Sequence, residues 1–462
     1  MKEDEEQELI LRGNLAVSYE HRFRTGLVLV DEDDVIKNAL DFNRAYLSMN
    51  PFLSLGAGIG GFQGLLVDAL MEFRPPYIGE DGYAPDHNFM PLPTVDINFN
   101  FLSRGTVGWN GKHLDIFFGR DNFHLGNTPA GTLYPAGTLP YQDGLRLFAP
   151  LGPFSFDYLL ATIVPRKAPH DVDPNDGVTD GNEYFGFMQD DHPSIILMAL
   201  HRFQWNFGPI KAGIGGTVVY ARSNNMFLMT DILPISVYHN ADIRPNNLSM
   251  IVDFSWTIFR GFTFSAMAGF DDISAKTFGL PDGPTPTIPA FILQAEYSFS
   301  TEDLFMEFLL EGGYTHYLWG NFAYGDDVAW GNVPLARAIY RYAPNNDAVL
   351  LPLTSPYGPG AVWGRLVTVL DIPRLRANIK ADLLLLSKTR AVNLVDTPYT
   401  GDSSLEFGPQ AFYASLDLPC SYTLGNFEFS LSPALIFADS KTAFECTLGV
   451  SFKLDGRKAI TP

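Results

Sequence analysis

The sequence predicts an all-β chain closed into a transmembrane antiparallel barrel of 16–18 strands, with eighteen the favoured count. Three observations predict it. Apolar and polar residues alternate with a period of two over many long stretches. The connections between those stretches alternate between very short and very long. No run of eighteen apolar residues exists to make a membrane helix.

The alternation is clearest in four places. Val95, Ile97, Phe99 and Phe101 alternate with Asp96, Asn98 and Asn100. Leu248, Met250, Val252, Phe254, Trp256 and Ile258 oppose Ser249, Ile251, Asp253, Ser255 and Thr257. Leu375, Ala377, Ile379, Ala381, Leu383 and Leu385 oppose Arg374, Arg376, Asn378, Lys380 and Asp382. Near the end, Phe444, Cys446, Leu448, Val450, Phe452 and Leu454 face away from Glu445, Thr447, Ser451 and Lys453. Successive strand side chains point to opposite faces, so each stretch has one apolar and one polar face. Many stretches run roughly 9–12 residues; a tilted strand needs about 9–11 to cross a bilayer, whereas soluble strands centre on about 5–6.

Less regular stretches complete the series. They fall at 11–19, 46–59, 65–73, 113–120, 145–150, 154–163, 195–207, 210–221, 232–239, 262–270, 290–299, 304–318, 336–342, 362–370, 407–418 and 427–435. The segments 206–209, 260–261 and 425–426 read as short periplasmic turns, and 75–92, 166–182, 276–286, 322–333 and 343–360 as long extracellular loops. Residues 9–454 form one barrel, between an acidic tail at 1–8 and a second tail at 455–462. The chain carries Phe 37, Tyr 20, Gly 42 and Pro 33, a balance that suits strands and turns rather than long helices. Aromatics at strand ends, such as Phe203, Trp205, Phe207, Trp256 and Phe259, suit interfacial girdles.

The charge balance excludes some classes. A net charge of -21 argues against a nucleic-acid partner. Cys420 and Cys446 are too few for a disulfide scaffold and show no metal-ligand spacing; packed free thiols are expected. No cofactor is implied, and no nucleophile elbow, zinc motif or nucleotide loop supports an enzyme. Expected partners are outer-membrane lipid or lipopolysaccharide, the outer-membrane assembly machinery, and either surface polysaccharide or small solutes. Location in the bacterial outer membrane implies an export signal that this chain no longer carries.

From Phe118 to Ile163 the chain reads FGRDNFHLGNTPAGTLYPAGTLPYQDGLRLFAPLGPFSFDYLLATI. Gly119-Arg120, then Phe123, Leu125, Gly126, Gly131, Leu133, Ala136 and Pro140, and finally Gly144-Leu145-Arg146-Leu147 resemble the Wzi-like capsule assembly proteins of the outer membrane. Leu125-Gly126 stands where that family usually has tryptophan-glycine. The match covers about a tenth of the chain. The resemblance implies a barrel of about eighteen strands, a lumen blocked by loops and a surface that holds exported polysaccharide.

The residues themselves suggest two kinds of site. Arg120, Asp121, Asp143 and Arg146 bracket the family-like segment and can clamp it or contact sugar. Asp253, Glu307, Glu311, Arg376, Lys380 and Asp382 are candidate lumen charges, which latch a loop, set ion selectivity or simply solvate the lumen. Tyr314, His316, Tyr317, Trp319, Tyr324, Asp326, Asp327 and Trp330 are candidate glycan contacts, rings for sugar faces and carboxylates for hydroxyls; an interfacial belt is the plainer reading. Three functional readings stand together: a loop-sealed barrel binding surface glycan, a porin passing small solutes, and a soluble all-β protein.

Overall fold

The computed structural model describes residues 9–26, 44, 48–61, 64–75, 86–89, 102–128, 131–135, 139–163, 195–222, 232, 246–271, 273–279, 281, 286–320, 336–340, 348–389, 410–439 and 441–460. Walking around the wall, the staves are β1 (Leu9–Gly26), β2 (Leu53–Gly60), β3 (Leu65–Phe73), β4 (Leu102–Asn110), β5 (Asp115–Asp121) and β6 (Gln142–Leu151). Next come β7 (Phe154–Ile163), β8 (Ile195–Phe207), β9 (Ile210–Arg222), β10 (Asn246–Phe259), β11 (Phe262–Phe270), β12 (Pro289–Ser300) and β13 (Phe305–Thr315). A separate hairpin, β14 (Ala336–Tyr340) with β15 (Ala348–Pro352), stands outside the wall sheet. The wall resumes with β16 (Ala361–Ile372), β17 (Ala377–Thr389), β18 (Gln410–Asp417), β19 (Cys420–Leu424), β20 (Phe427–Ala438) and β21 (Lys441–Ile460).

Each neighbour pairs antiparallel with the next, and β21 pairs back onto β1 from Leu9↔Ile460 to Gly26↔Ala443. The sheet therefore has no open edge. β18 and β19 both lie between β17 and β20, split at Leu418 and Pro419. They are two halves of one stave, so the nineteen-stranded sheet makes eighteen staves among the described residues. Proline has no N–H to give the ladder, which is why the stave breaks there.

Side-chain facing is inverted relative to a soluble protein. Val17, Tyr19, Phe23, Val252, Trp256, Leu293, Leu310, Leu385, Phe429 and Leu448 point outward and are exposed. Ser18, Glu20, Arg22, Asp157, Arg202, Asp253, Gln294, Glu311, Ser415 and Glu445 point inward and are buried. Soluble monomers rarely expose apolar patches beyond a few hundred Å²; here the apolar surface recurs on staves all round the wall. Only lipid makes such a surface favourable, and a closed barrel with an apolar exterior spans a membrane. Rings gather near the short-turn rim, where Phe154 meets Trp205 edge-on at 5.9 Å, Phe259 stacks on Phe262 at 5.1 Å and Phe427 meets Phe452 at 5.1 Å. Cys420 and Cys446 are free thiols.

All turns at one end span two to four residues, 61–64, 111–114, 152–153, 208–209, 260–261, 301–304, 373–376 and 425–426. The opposite end carries the long connections, with 439–440 the single short exception there. By the general rule for such barrels, the first end is periplasmic and the second extracellular.

Several sequence expectations shift. The expected strand at 95–101 lies outside the described residues, and so do 46–47 of the expected strand at 46–59 and all but Ile232 of the one at 232–239. The stave in the first region is β4, whose apolar face is little more than Val107 and Trp109. Of the expected strand at 336–342, residues 336–340 form β14 of the separate hairpin and 341–342 lie outside the described residues, while β15 lies within the expected loop at 343–360. The strand expected from Leu375 starts two residues later: Pro373–Leu375 form a helical turn and Arg376 takes φ 52, a left-handed turn conformation. Residues 455–460, expected as a tail, complete β21 against β1.

Phe254 lies on the face of Val252 and Trp256, and Val450 on that of Leu448 and Leu454. Phe254→Asp and Val450→Asp should each lower the yield of heat-modifiable, folded barrel on semi-native gels, by a cost of about 1–3 kcal/mol, somewhat below that of a basic residue at mid-membrane. Wild-type folding yield from both would overturn the facing.

Candidate functional site: a segment clasped inside the lumen

The connection from β5 to β6 turns inward. Phe123, Leu125, Leu133, Tyr134 and Leu139 are buried and share one apolar cluster with wall residues Met198, Leu200, Ile251, Met267 and Ile292, and Thr132 is buried among them. Those wall residues point inward, so the segment sits within the barrel. Just before the segment, Gly119 brings β5 close against β4. Its φ is 127, where an L side chain is strained, and an added Cβ would collide with the Gly105 carbonyl. Asp121 Oδ1 then accepts from Asn122 N at 2.8 Å, and Asn122 Nδ2 donates to Leu139 O at 2.9 Å, tying the segment's two ends together.

Two wall carboxylates clasp the middle. Asp253 on β10 accepts from Arg202 on β8 through Nε at 3.0 Å and Nη2 at 2.7 Å. It also accepts from Asn127 Nδ2 at 2.6 Å and the Tyr134 hydroxyl at 3.2 Å. Glu311 on β13 accepts from Gly131 N at 2.7 Å, from Gln294 Nε2 and from Trp363 Nε1 at 2.7 Å. A Cβ on Gly131 would stand 2.9 Å from Glu311 Oε2, so the carboxylate reaches the backbone only because this residue is glycine. Met267 Sδ accepts from Leu133 N at 3.0 Å. Burial and the neighbouring Asp253 carboxylate push the Tyr134 phenol up, so it stays a neutral donor.

A second inward element packs on the first. The chain leaving β15 runs back through Leu353, Thr354, Ser355 and Tyr357, all buried. Ser355 N donates to Thr132 O at 3.0 Å, and Trp319 Nε1 donates to Thr354 Oγ1 at 3.2 Å. Gly320 N donates to Asp271 Oδ2 at 2.9 Å. Together these segments narrow the extracellular half of the lumen.

The candidate glycan contacts fall into three groups. Tyr314 lies on the outer face, stacked on Phe291 at 6.5 Å, so it belongs to the lipid-side rings. His316, Tyr317 and Trp319 are buried in the lumenal packing rather than displayed at the surface. Tyr324, Asp326, Asp327 and Trp330 lie outside the described residues.

The charged candidates divide similarly. Arg120 and Asp143 form a two-bond pair at 2.6 and 3.0 Å, with Arg120 Nη1 on Leu102 O and the guanidinium 3.8 Å over the Tyr141 ring. They share the outward side of Phe118 and Leu145, so this pair ties the rim of the wall rather than lining the lumen. Arg146 pairs inward with Asp157 at 2.8 Å. Glu307 and Glu311 share the inward face of β13. Lys380 and Asp382 do face inward, where Asp382 accepts from Lys380 at 2.9 Å and from Arg365 at 2.8 and 2.6 Å. Arg376, expected among the lumen charges, is exposed in the turn at the periplasmic rim, because the helical turn at Pro373 takes it off the strand. Arg202, Tyr134, Asn127, Gln294 and Trp363 complete the clasp and were not singled out from sequence. Among the described residues no cluster of three or more His, Cys, Asp or Glu could hold a metal.

No family model matches the sequence, and no curated protein is detectably similar to it. Solved structures do resemble the fold. Wzi of Escherichia coli, described as an outer-membrane protein of group 1 capsule assembly and a carbohydrate-binding β-barrel, superposes with a TM-score of 0.53 at 12% identity, over 96% of this chain and 84% of that one. OpdK of Pseudomonas aeruginosa, crystallised with vanillate, gives 0.45 at 12% identity over 96% and 99%. A BenF-like porin from Pseudomonas fluorescens gives 0.45 at 9% identity over 96% and 99%. At such identities the likeness is one of architecture. With the apolar exterior and closed eighteen-stave wall, it shows the fold: a closed transmembrane β-barrel of the architecture that Wzi has.

The clasp yields two tests. Arg202→Ala leaves Asp253 buried with its main cation gone, a loss of about 3–5 kcal/mol for a buried pair. Limited proteolysis of the folded barrel should then cut between residues 122 and 141, where wild type resists; equal resistance would show that Arg202 does not hold the segment. His316 gives the second. Burial pushes its imidazole down to about 4, and its Nδ1 accepts from Leu318 N at 3.2 Å. The unfolded imidazole titrates near 6.5, so between these values the opened turn binds a proton that the closed turn does not. Stability of the turn is therefore complete above about pH 6.5 and falls as pH drops towards 4. Protease cutting at residues 316–320 should rise over that window in wild type and lose its pH dependence in His316→Asn.

Proposed function

We propose that this chain is a loop-narrowed channel for small polar solutes, a porin whose bore is set by its own inserted segment. The observation that carries the reading is the state of the inward charges away from the clasp. Asp68 with Arg104 and Lys380 with Asp382 keep up to about two-fifths of their side-chain surface open, as a wetted lumen leaves them. Near the clasp, Arg202 and Asp253 are 6% and 0% exposed. Inward side chains thus keep open surface along part of the wall and lose it where the segment packs. Most guanidiniums in the lumen sit beside a carboxylate, which favours neutral or zwitterionic polar solutes over strong selection for one ion sign.

A second reading is a sealed barrel that holds surface polysaccharide. It is supported by the Wzi-like segment between Phe118 and Ile163 and by the carbohydrate-binding description of the Escherichia coli neighbour. Planar-bilayer conductance of the detergent-folded protein separates the two. The channel reading expects discrete openings, and larger ones after residues 127–134 are replaced by a short glycine-serine link. Stable insertion with no current from either protein would sink the channel and favour the sealed barrel.

A further inference from the structure

Among the described residues, the wall is thinnest beside the upper part of β1. β1 pairs with β21 along its whole length, up to Gly26, but its pairing with β2 stops at Val17↔Leu53. The neighbouring staves are short: β2 has 8 residues, β3 and β4 have 9 each, and β5 has 7. Crossing the hydrocarbon takes about 9–11, so β2 and β5 fall short of the outer leaflet. Above the end of β2, β1 is met instead by residues 86–89, from the connection between β3 and β4.

Among the described residues, a short set of contacts holds this patch. Arg22 N donates to Asp86 O at 2.6 Å and Asn88 N to Glu20 O at 3.2 Å, with His21 and His87 facing each other as a single antiparallel bridge. Arg24 Nε also lies 3.9 Å from Asp86 Oδ1, and the Asn88 side chain adds four hydrogen bonds. Its Oδ1 accepts from Glu20 N at 2.8 Å, and its Nδ2 reaches Ser18 O, Ser18 Oγ and Asn50 O at 3.0–3.2 Å. One fully buried asparagine thus takes the place of a missing length of strand.

The two sides of the patch differ in chemistry. On the membrane side stand Tyr19, Phe23 and Phe89, each about half exposed, with Phe52 between Phe73 and Phe89 at 6.2 and 6.4 Å. On the lumen side lie Glu20 with Asn50, whose Nδ2 and N both donate to the carboxylate, and the inward-facing Arg22. An opening here would join an aromatic, lipid-facing mouth to a polar, charged interior.

We infer that residues 86–89 form a lateral gate between the lumen and the outer leaflet, admitting single-chain amphiphiles with the alkyl chain towards lipid and the polar headgroup towards Glu20, Asn50 and Arg22. This route is separate from axial passage and does not depend on it. An open seam would leave the N–H groups of Glu20 and Arg22 without partners in hydrocarbon, which a ligand headgroup or entering water must satisfy. That requirement favours headgroups rich in hydrogen-bonding atoms over plain hydrocarbons.

The test locks the seam. In a Cys420→Ser, Cys446→Ser background, His21→Cys with His87→Cys places two thiols at a bridged pair, within the Cα separation a disulfide accepts. The folded protein, in phospholipid vesicles, is exposed to a long-chain fatty acid carrying an alkyl diazirine, irradiated and mapped by mass spectrometry. The gate expects labelling near Met49 and Asn50 in the reduced protein, loss of it on oxidation, recovery with reductant, and unchanged axial conductance throughout. Asn88→Ala, with heat-modifiability as the check on folding, should label faster than wild type. Equal labelling in locked and unlocked protein, labelling confined to the outer face, or parallel loss of labelling and conductance would each overturn the gate.

Discussion

Everything in this molecule follows from the need to satisfy each backbone N–H and C=O without water. In hydrocarbon an unpaired amide costs several kcal/mol, and a sheet can meet that demand only by closing on itself. The register between β1 and β21 supplies the closure. The alternation of side chains then divides the chain into a lipid-facing and a lumen-facing set. The lumen carries buried carboxylates beside an apolar patch, and whatever fills it must answer both. The inserted segment does so by presenting a glycine N–H to Glu311 and an amide and a phenol to Asp253.

The fold was legible to the extent that its forces are local. Lipid-facing residues recur at every second position, so stretches such as 248–258 and 444–454 announce their faces without knowledge of neighbours. β4 was harder to see because Ser103 and Gly105 occupy the outward positions where an apolar signal would otherwise stand. The turn at Pro373 was misread because Leu375, Ala377 and Ile379 continue the alternation through a place where the backbone has already bent. Residues 336–340 alternate as a stave would, yet pair only with 348–352; nothing in a single strand's pattern says which sheet it joins.

The site was legible in part for the same reason. Asp253 and Glu311 stand out as acids on apolar strands, and their inward facing follows from the alternation. Their partners do not. Asn127 is 126 residues from Asp253, and Gly131 is 180 from Glu311. Such pairings exist only once the barrel has closed around the segment. The rings at 316–319 illustrate the opposite error. Aromatic richness in a loop suggests a surface for stacking, but a lumen that must be filled draws rings inward, and the Trp319 indole ends against Thr354 inside the barrel.

The seam between β1 and β21 also governs the order of assembly. Arg22 meets Thr447 across 425 residues of chain, nearly its whole length. Contacts so distant in sequence form late, because the entropy of closing the loop is lost before any bond across it is gained. Hairpins can zip as they emerge, each across its own tight turn. The cylinder, however, stays an open sheet with two long unsatisfied edges until its final strand arrives, and during that interval it is a template for aggregation. A chain of this topology therefore needs its exposed edges shielded by something other than itself until the last residues are in place.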